Sequence, residues 1–396
     1  MDALGWLIFL AALVVSVMLH ETGHFVTAKR FGMKCTQYFF GFGPTLWSVK
    51  RGETEYGFKA IPAGGFVKIV GMTSLDEVDP EDEARSFRQA PGWQRLIVLA
   101  AGSFMHFLFA AVLIFGLALT IGIENDNTTQ LGTVATCVPT SAQALNNGAA
   151  CTSGEAKSPA VIAGLKVGDQ VTSFNGTAVS NWTQLQNAIL KVKPGTPVAL
   201  TVERDGHSVT LHTALAEVPG HGSYFGIAPT VTLQRQGPVD AVKYIGTGFS
   251  QVVTGTASAL GQVPAAVPNL FSANRSQTAA GNLSSVVGAA QATGAAVAAK
   301  VGWEYKVNFV LLLIAELNIF WGVFNLFPLL PLDGGHIAVV IWERIRAWFA
   351  RVRHQPDPGQ VDYRRVVPVM FSVFAVIIVF TLVVIVADIV NPVNYG

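Results

Sequence analysis

The chain of 396 residues is 51% apolar and only 13% charged. Soluble globular proteins carry about 25% charged residues, so this composition indicates a membrane protein. A formal charge of +1 without arginine–lysine blocks argues against a nucleic-acid partner, and three cysteines are too few for a disulfide scaffold.

The first element is an apolar run predicted to span the bilayer over about 3–28. Between Ala3 and Leu19 only Gly5 and Ser16 fall outside the apolar set. No basic stretch precedes the run and no small-residue cleavage site follows it, so it reads as mature protein and not as a signal peptide. It ends in His20-Glu21-Thr22-Gly23-His24, an HExxH pattern. Helix positions four apart share a face, so both imidazoles can hold one metal ion while Glu21 stands beside the attacking water. Zinc accepts two histidines and a carboxylate and leaves a fourth position open, where the pKa of water falls to about 7. Two histidines and a glutamate are expensive in an apolar segment, which points to function.

The following loop is predicted as β-structure. Gly41 to Pro44 reads as a turn, Thr45 to Lys50 and Tyr56 to Ile61 as strands around Arg51-Gly52-Glu53, and Pro62 to Gly65 as a second turn before Phe66 to Val70. It is too apolar for a solvated hairpin, and covering the site is one role open to it. Leu75 to Glu83 is acidic and reads as a solvated turn. A second span is predicted at about 95–122. There His106 either donates a hydrogen bond near the site or fills a packing position between helices.

An outer domain is predicted over residues 125–216, with a strand at Val171 to Asn175, a helix at Trp182 to Leu190, and a hairpin of Val198 to Glu203 with Ser208 to Thr213. Residues 217–304 read as amphipathic helices, such as Val239 to Val253. The third and fourth spans are predicted at about 306–328 and 366–389, with Glu316 and Asn318 facing the bundle interior. Ten of the 26 basic residues lie between Lys29 and Arg95 and six between Arg344 and Arg365, against nine thinly spread over 123–305. The two shorter loops therefore face the cytoplasm, and both termini and the inserted domain face out. On that oxidising face Cys137 and Cys151 are expected to form a disulfide, while Cys35 stays free.

Near the inner end of the third span the chain reads Asn325-Leu-Phe-Pro-Leu-Leu-Pro-Leu-Asp333-Gly-Gly-His336. Pro328 and Pro331 must open the helix, which lipid tolerates only against protein or a cavity. Asp333 then lies at the depth of His20 and His24 and is the natural third ligand, unless it merely caps the helix that follows. His336 is a weaker candidate.

HETGH in the first span together with NLFPLLPLDGG in a later one resembles the site-2 protease family of intramembrane metalloproteases, closest to bacterial members with four transmembrane segments. The resemblance implies one Zn2+ per chain held by His20, His24 and Asp333, with Glu21 as general acid/base. It implies that Asn325 and the turn Gly41-Phe42-Gly43 position the substrate, and that the loop at about 38–71 is re-entrant and pairs with an extended peptide. The order of elements in 125–216 resembles a PDZ domain. Gly102-Ser-Phe-Met-His106 departs from the family, where a Gly-Pro pair and an Asn are usual.

The resulting expectation is a polytopic α-helical protein of the bacterial plasma membrane. Its membrane domain comprises residues 1–122 and 305–396, with a membrane-associated β-hairpin loop and an inserted extracytoplasmic α+β PDZ domain. The active site faces the cytoplasmic side. Its substrates would be single-pass proteins such as anti-sigma factors, already trimmed outside by a site-1 type protease. Two alternatives stand beside this: a membrane-anchored zincin acting on soluble proteins, against which Asp333 argues, and a non-catalytic scaffold or metal transporter, against which Glu21 argues.

Overall fold

The computed structural model describes residues 3–73, 76–142, 145, 151, 154–272, 275, 280 and 283–392. In chain order the helices are α1 (Ala3–Arg30), α2 (Gly92–Thr120), α3 (Pro159–Ala163), α4 (Trp182–Lys191), α5 (Pro238–Ala266), α6 (Val286–Ala298), α7 (Trp303–Asn325), α8 (Asp333–Val352) and α9 (Tyr363–Val390). Among the described residues, four segments are long and apolar enough to cross a membrane: α1, α2, α7 and Val366–Val390 of α9. The chain divides into two compact units, one of Met1–Gly116, Pro238–Pro264 and Leu283–Gly396, the other of Leu117–Gly237 and Ala265–Asn282.

In the first unit the helices meet where small residues let backbones approach, as packing in lipid requires. A Cβ on Gly5 of α1 would lie 2.6 Å from the Cα of Gly294 in α6, and one on Gly23 would lie 2.4 Å from the carbonyl oxygen of Ala101 in α2. Between α2 and α7, Ala110 and Ile114 pack on Ala315 and Ile319, with Tyr244 and Phe249 of α5 closing the cluster. Asn318 is buried at 1% exposure, but Glu316 is exposed. The expected inward pair is thus half right: two positions along a helix rotate the side chain by about 200°. Ser285 accepts a hydrogen bond from the Val287 N–H at the start of α6, and the buried Asp388 of α9 accepts from the main chain and hydroxyl of Ser285. Asn282, and Leu75 of the acidic run, lie outside the described residues.

The loop after α1 forms two long strands, β1 (Cys35–Arg51) and β2 (Thr54–Ile69), in antiparallel pairing. The predicted turns at 41–44 and 62–65 are bends inside these strands. Gly41, Gly43 and Gly64 have φ of 91°, 81° and 141°, which lets the ribbon fold over without ending. Tyr38 accordingly pairs with both Tyr56 and Val67. At the tip Glu53 receives Lys29 and a two-pronged contact from Arg85. Hydrogen bonds from Arg85 and then Lys29 hold its carboxyl at about 2.

Between α7 and α8 the backbone is non-helical over 326–332, as the two prolines require. The stretch beginning at Arg344, expected as a loop, belongs to α8 through Val352, because Ile337, Val340 and Ala350 recur at helical spacing and turn inward.

The second unit is built on a four-stranded antiparallel sheet. Its strands are β3 (Ile123–Asn125), β4 (Leu131–Val134), β5 (Gln170–Phe174), β6 (Thr177–Ala178), β7 (Pro197–Arg204), β8 (His207–Ala214), β9 (Ala216–Val218), β10 (Gly222–Tyr224), β11 (Ile227–Pro229) and β12 (Thr232–Gln234), with the sheet order β6-β5-β7-β8. Ser158 caps α3 and Asn181 caps α4 through side-chain oxygens. The β7–β8 turn places Asp205 and Gly206 at φ of 52° and 76°, a hairpin geometry suited to Asp-Gly. Inside, Val171, Phe174, Leu185, Leu200 and Phe225 share one core. The boundary expected at 216 falls within this unit: β11 pairs with β4 and β12 with β3, so strands continue to Gln234 where helix was expected. Cys137 and Cys151 form a disulfide, with Cα atoms 5.9 Å apart. Cys35 is buried and free.

Candidate active site

α1 carries the apolar run without a break into His20 and His24, one turn apart, so their Nε2 atoms approach to 3.1 Å. Asp333 reaches them from the first turn of α8, with its Oδ2 3.3 Å from each Nε2. The glycines after Asp333 set its position. A Cβ on Gly334 would lie 2.2 Å from the carbonyl oxygen of Phe327, and one on Gly335 would lie 2.5 Å from the amide nitrogen of Leu330. Only glycines let α8 start so tightly against the opened backbone. The carboxylate of Asp333 turns to the imidazoles, and no side-chain cap forms at the start of α8.

These donors fit zinc on their own geometry. A tetrahedron with metal–ligand bonds of about 2.0–2.2 Å has edges of about 3.3–3.6 Å, and the observed triangle of 3.1, 3.3 and 3.3 Å is close to that. His24 Nδ1 donates to the carbonyl of Val98 at 2.7 Å, which leaves the Nε2 lone pair facing the centre. Asp333 Oδ2 is buried and accepts no hydrogen bond among the described residues, which suits an atom reserved for a cation. Among the described residues a second clustered set, Cys137, Cys151 and Glu155, has both cysteines taken up by the disulfide.

Glu21 follows His20 on α1 and lies under β2. The main chain of Val67 hydrogen-bonds its carboxylate, and a Cβ on Gly65 would lie 3.1 Å from its Cγ. The same ribbon is tied to α1 by Tyr38, whose hydroxyl donates to the carbonyl of Met18 at 3.1 Å and meets Thr22 Oγ1 at 2.8 Å. Gly41 lies within β1 against Lys59 and Ile61, Phe42 stacks on Phe66 and is 43% exposed, and Gly43 follows at the bend. Asn325 is the last residue of α7 and half-buried. His336 is not among the clustered donors and meets the Tyr363 hydroxyl at 3.1 Å.

Two contributors escape sequence reading. Gly102 of α2 backs the centre: a Cβ there would lie 2.4 Å from His24 Nε2 and 2.5 Å from His20 Cε1. Val98 supplies a carbonyl, which no side chain announces. His106, read from the sequence as either a hydrogen-bonding group near the site or a packing residue, sits one turn beyond Gly102, its ring 4.9 Å from that of His20. Its Nδ1 donates to Asn318 Oδ1 at 2.9 Å and lies 3.1 Å from Ser16 Oγ, so α1, α2 and α7 meet in one polar knot. Ser16, an interruption of the apolar run, is the α1 member of that knot.

A sequence model of peptidase family M50 matches residues 8–356. The zinc metalloprotease Rip1 of Mycobacterium tuberculosis strain H37Rv is 35% identical over 409 residues, covering 98% of both chains. Rip1 of Mycolicibacterium smegmatis is 35% identical over 413 residues, covering 100% of this chain and 99% of its own. A putative zinc metalloprotease of Clostridium acetobutylicum is 28% identical over 394 residues, 98% of each.

Proposed function

The chain belongs to peptidase family M50, the site-2 proteases, and from that premise we propose that it is an intramembrane zinc endopeptidase cutting transmembrane segments of single-pass proteins. One observation carries the reading: His20, His24 and Asp333 converge within 3.3 Å on the apolar helix that also bears Glu21. Zinc, one ion per chain, would supply Lewis acidity at this point, polarising a carbonyl and making water nucleophilic near neutral pH. Each other role falls to the chain itself. Glu21 takes a proton from the attacking water and delivers it to the amide nitrogen that leaves. Its neighbours Gly65 and Val67 keep the carboxylate beside the imidazoles and limit access of bulk water.

A peptide bond inside a helix is sterically closed, and its backbone groups must be satisfied when it unwinds in lipid. The bent ribbon of β1 and β2 suits strand addition to such a peptide, with Gly41, Phe42 and Gly43 at the bend and Asn325 holding the substrate main chain. Exposed Leu46, Trp47, Phe58 and Ile61 support placement of this re-entrant ribbon in the membrane. The α+β unit at Leu117–Gly237 reads as an extracytoplasmic PDZ-like domain that excludes substrates still carrying their outer domains. Substrates are then proteins such as anti-sigma factors after a first cut by a site-1 type protease. Both termini face out, and the catalytic centre lies towards the cytoplasmic side of a bacterial plasma membrane.

The test uses a tagged single-pass substrate lacking its outer domain, co-reconstituted with wild type or Glu21→Gln, with zinc content measured on both. Cleavage by wild type alone, with both chains holding zinc, is the expected result. Equal cleavage by Glu21→Gln, or no cleavage of any single-pass substrate by zinc-loaded wild type, would refute the reading.

A further inference from the structure

Helix α8 does more than present Asp333. Beyond its first two turns it exposes Ile341, Trp342, Ile345, Trp348, Phe349 and Val352, each between 40% and 59% accessible. At 100° per residue these six fall within a sector of about 120°, a continuous apolar stripe. Opposite it, Val340, Glu343 and Ala350 are buried. Arg344 and Arg351 border the stripe on one side, and Arg346 and Arg353 on the other. The two acidic residues of α8 both turn away: Asp333 to the histidines, and Glu343 to Arg95 at 2.9 Å. The rim that α8 itself supplies is therefore purely cationic, with Arg346 also donating to the carbonyls of Pro358 and Gly359 in the returning chain.

The depth of the stripe follows from what α8 touches. The guanidinium of Arg344 lies against Gly92, and Glu343 pairs with Arg95, so mid-helix α8 passes the first turn of α2, where that span leaves the bilayer. Trp93, 57% exposed on the same turn, marks an interfacial level. The chain after α8 returns along it, with the Val361 N–H donating to Glu343 at 2.9 Å and Gln360 to the carbonyl of Arg88 at 3.0 Å, before α9 enters the membrane. Six large apolar side chains, two of them tryptophan, with a border of arginines at this level match the headgroup layer. There indole rings sit at the boundary and guanidinium groups reach phosphates.

We propose that α8 is a membrane-surface anchor, its apolar stripe inserted among lipid headgroups and its arginine borders binding anionic phospholipid. The occupant is the bilayer itself, because the purely cationic rim complements an anionic lipid surface and the helix is held at the level where α2 and α9 enter it. By this anchor the leaflet steadies the helix whose first residue completes the donor triangle.

The test places a nitroxide on the full chain at Trp348→Cys or Arg353→Cys, with buried Cys35 replaced by Ser, in phosphatidylcholine vesicles with or without phosphatidylglycerol. At position 348 the label is expected to relax with oxygen and to lose contact with an aqueous nickel chelate; at 353 the chelate reaches it. Phosphatidylglycerol deepens the shielding at 348, and Arg351→Gln with Arg353→Gln cancels that gain. Quenching by bromolipid, as the difference between wild type and Trp348→Phe, gives a label-free readout of the same contact. A label at 348 as open to the chelate as one at 353 would overturn the proposal. So would spin–spin broadening at 348, which would put a second copy on the stripe, and indifference to phosphatidylglycerol would overturn the headgroup assignment.

Discussion

Replacing Gly102 by alanine tests the site with a single methyl group. The added Cβ would lie 2.4 Å from His24 Nε2, 2.5 Å from His20 Cε1 and 2.7 Å from His20 Nδ1. Ordinary carbon contacts begin near about 3.5 Å, so either α2 or both imidazoles must retreat by about 1 Å. A metal site tolerates about 0.2 Å in its ligand positions. Disturbing groups that orient the ligands costs about 10–100-fold in affinity, and a misplacement of about 1 Å costs about 100-fold in rate. Gly102→Ala should therefore bind zinc at least tenfold more weakly and lose nearly all cleavage, while helix content is unchanged. Gly116→Ala in the same helix has no atom within 4 Å of the new carbon and serves as the matched control. Zinc affinity by competition with a chelating dye, alongside cleavage of a single-pass substrate, reads both effects. Full zinc affinity and activity in Gly102→Ala would refute the close backing of the histidines by α2.

Other parts of the chain give further expectations. In the inserted unit Asp169 is 2% exposed and accepts from Arg204 through Nε and Nη2, both at 2.6 Å. Arg204→Met strands that carboxylate and should cost about 3 kcal/mol, the low end for a broken buried pair because the Lys166 N–H at 2.8 Å remains; a melting temperature equal to wild type would contradict this. Burial alone would raise the Asp169 pKa, yet Arg204 and the Lys166 N–H together outweigh it and the value is lowered, so the pair stabilises fully above the ordinary value of 3.8 and loses its effect as pH falls below it. Glu53, held at about 2 by Arg85 and Lys29 against an ordinary 4.5, behaves with the same sign. Its clasp on the tip of the β-ribbon is complete above about pH 4.5 and released towards pH 2, and Glu53→Gln should raise hydrogen exchange at residues 51–54 at neutral pH. Exchange rates unchanged by that substitution would show that the clasp does not order the tip.

The sequence announced what rests on local rules. HExxH on an apolar helix, prolines that stop α7, and glycines after Asp333 are each chemical constraints visible in one dimension, and the four spans follow from length and hydropathy. Gly102 and the Val98 carbonyl were invisible because their roles arise only when α2 packs on α1. The glycines at 41, 43 and 64 read as turns, since a positive φ serves a turn or a bend equally, and only the pairing of Tyr38 with two partners decides between them. Strands β9 to β12 are three residues each, too short for any periodicity to show; β9 and β10 pair with each other, and β11 and β12 pair with β4 and β3 across a long separation. The extent of helix α8 past Arg344 was hidden by its arginines, which resemble a charged loop until the burial of Val340, Glu343 and Ala350 fixes its inner face.

Zinc K-edge absorption on the zinc-loaded full chain, wild type beside Asp333→Asn, tests the donor triangle most directly. The wild type is expected to show a sulfur-free shell with two imidazole nitrogens and a carboxylate oxygen at about 2.0–2.2 Å, and Asp333→Asn a shell that loses the carboxylate oxygen, with weaker zinc binding. An identical shell and affinity in the two proteins would remove Asp333 from the centre and with it the proposed site.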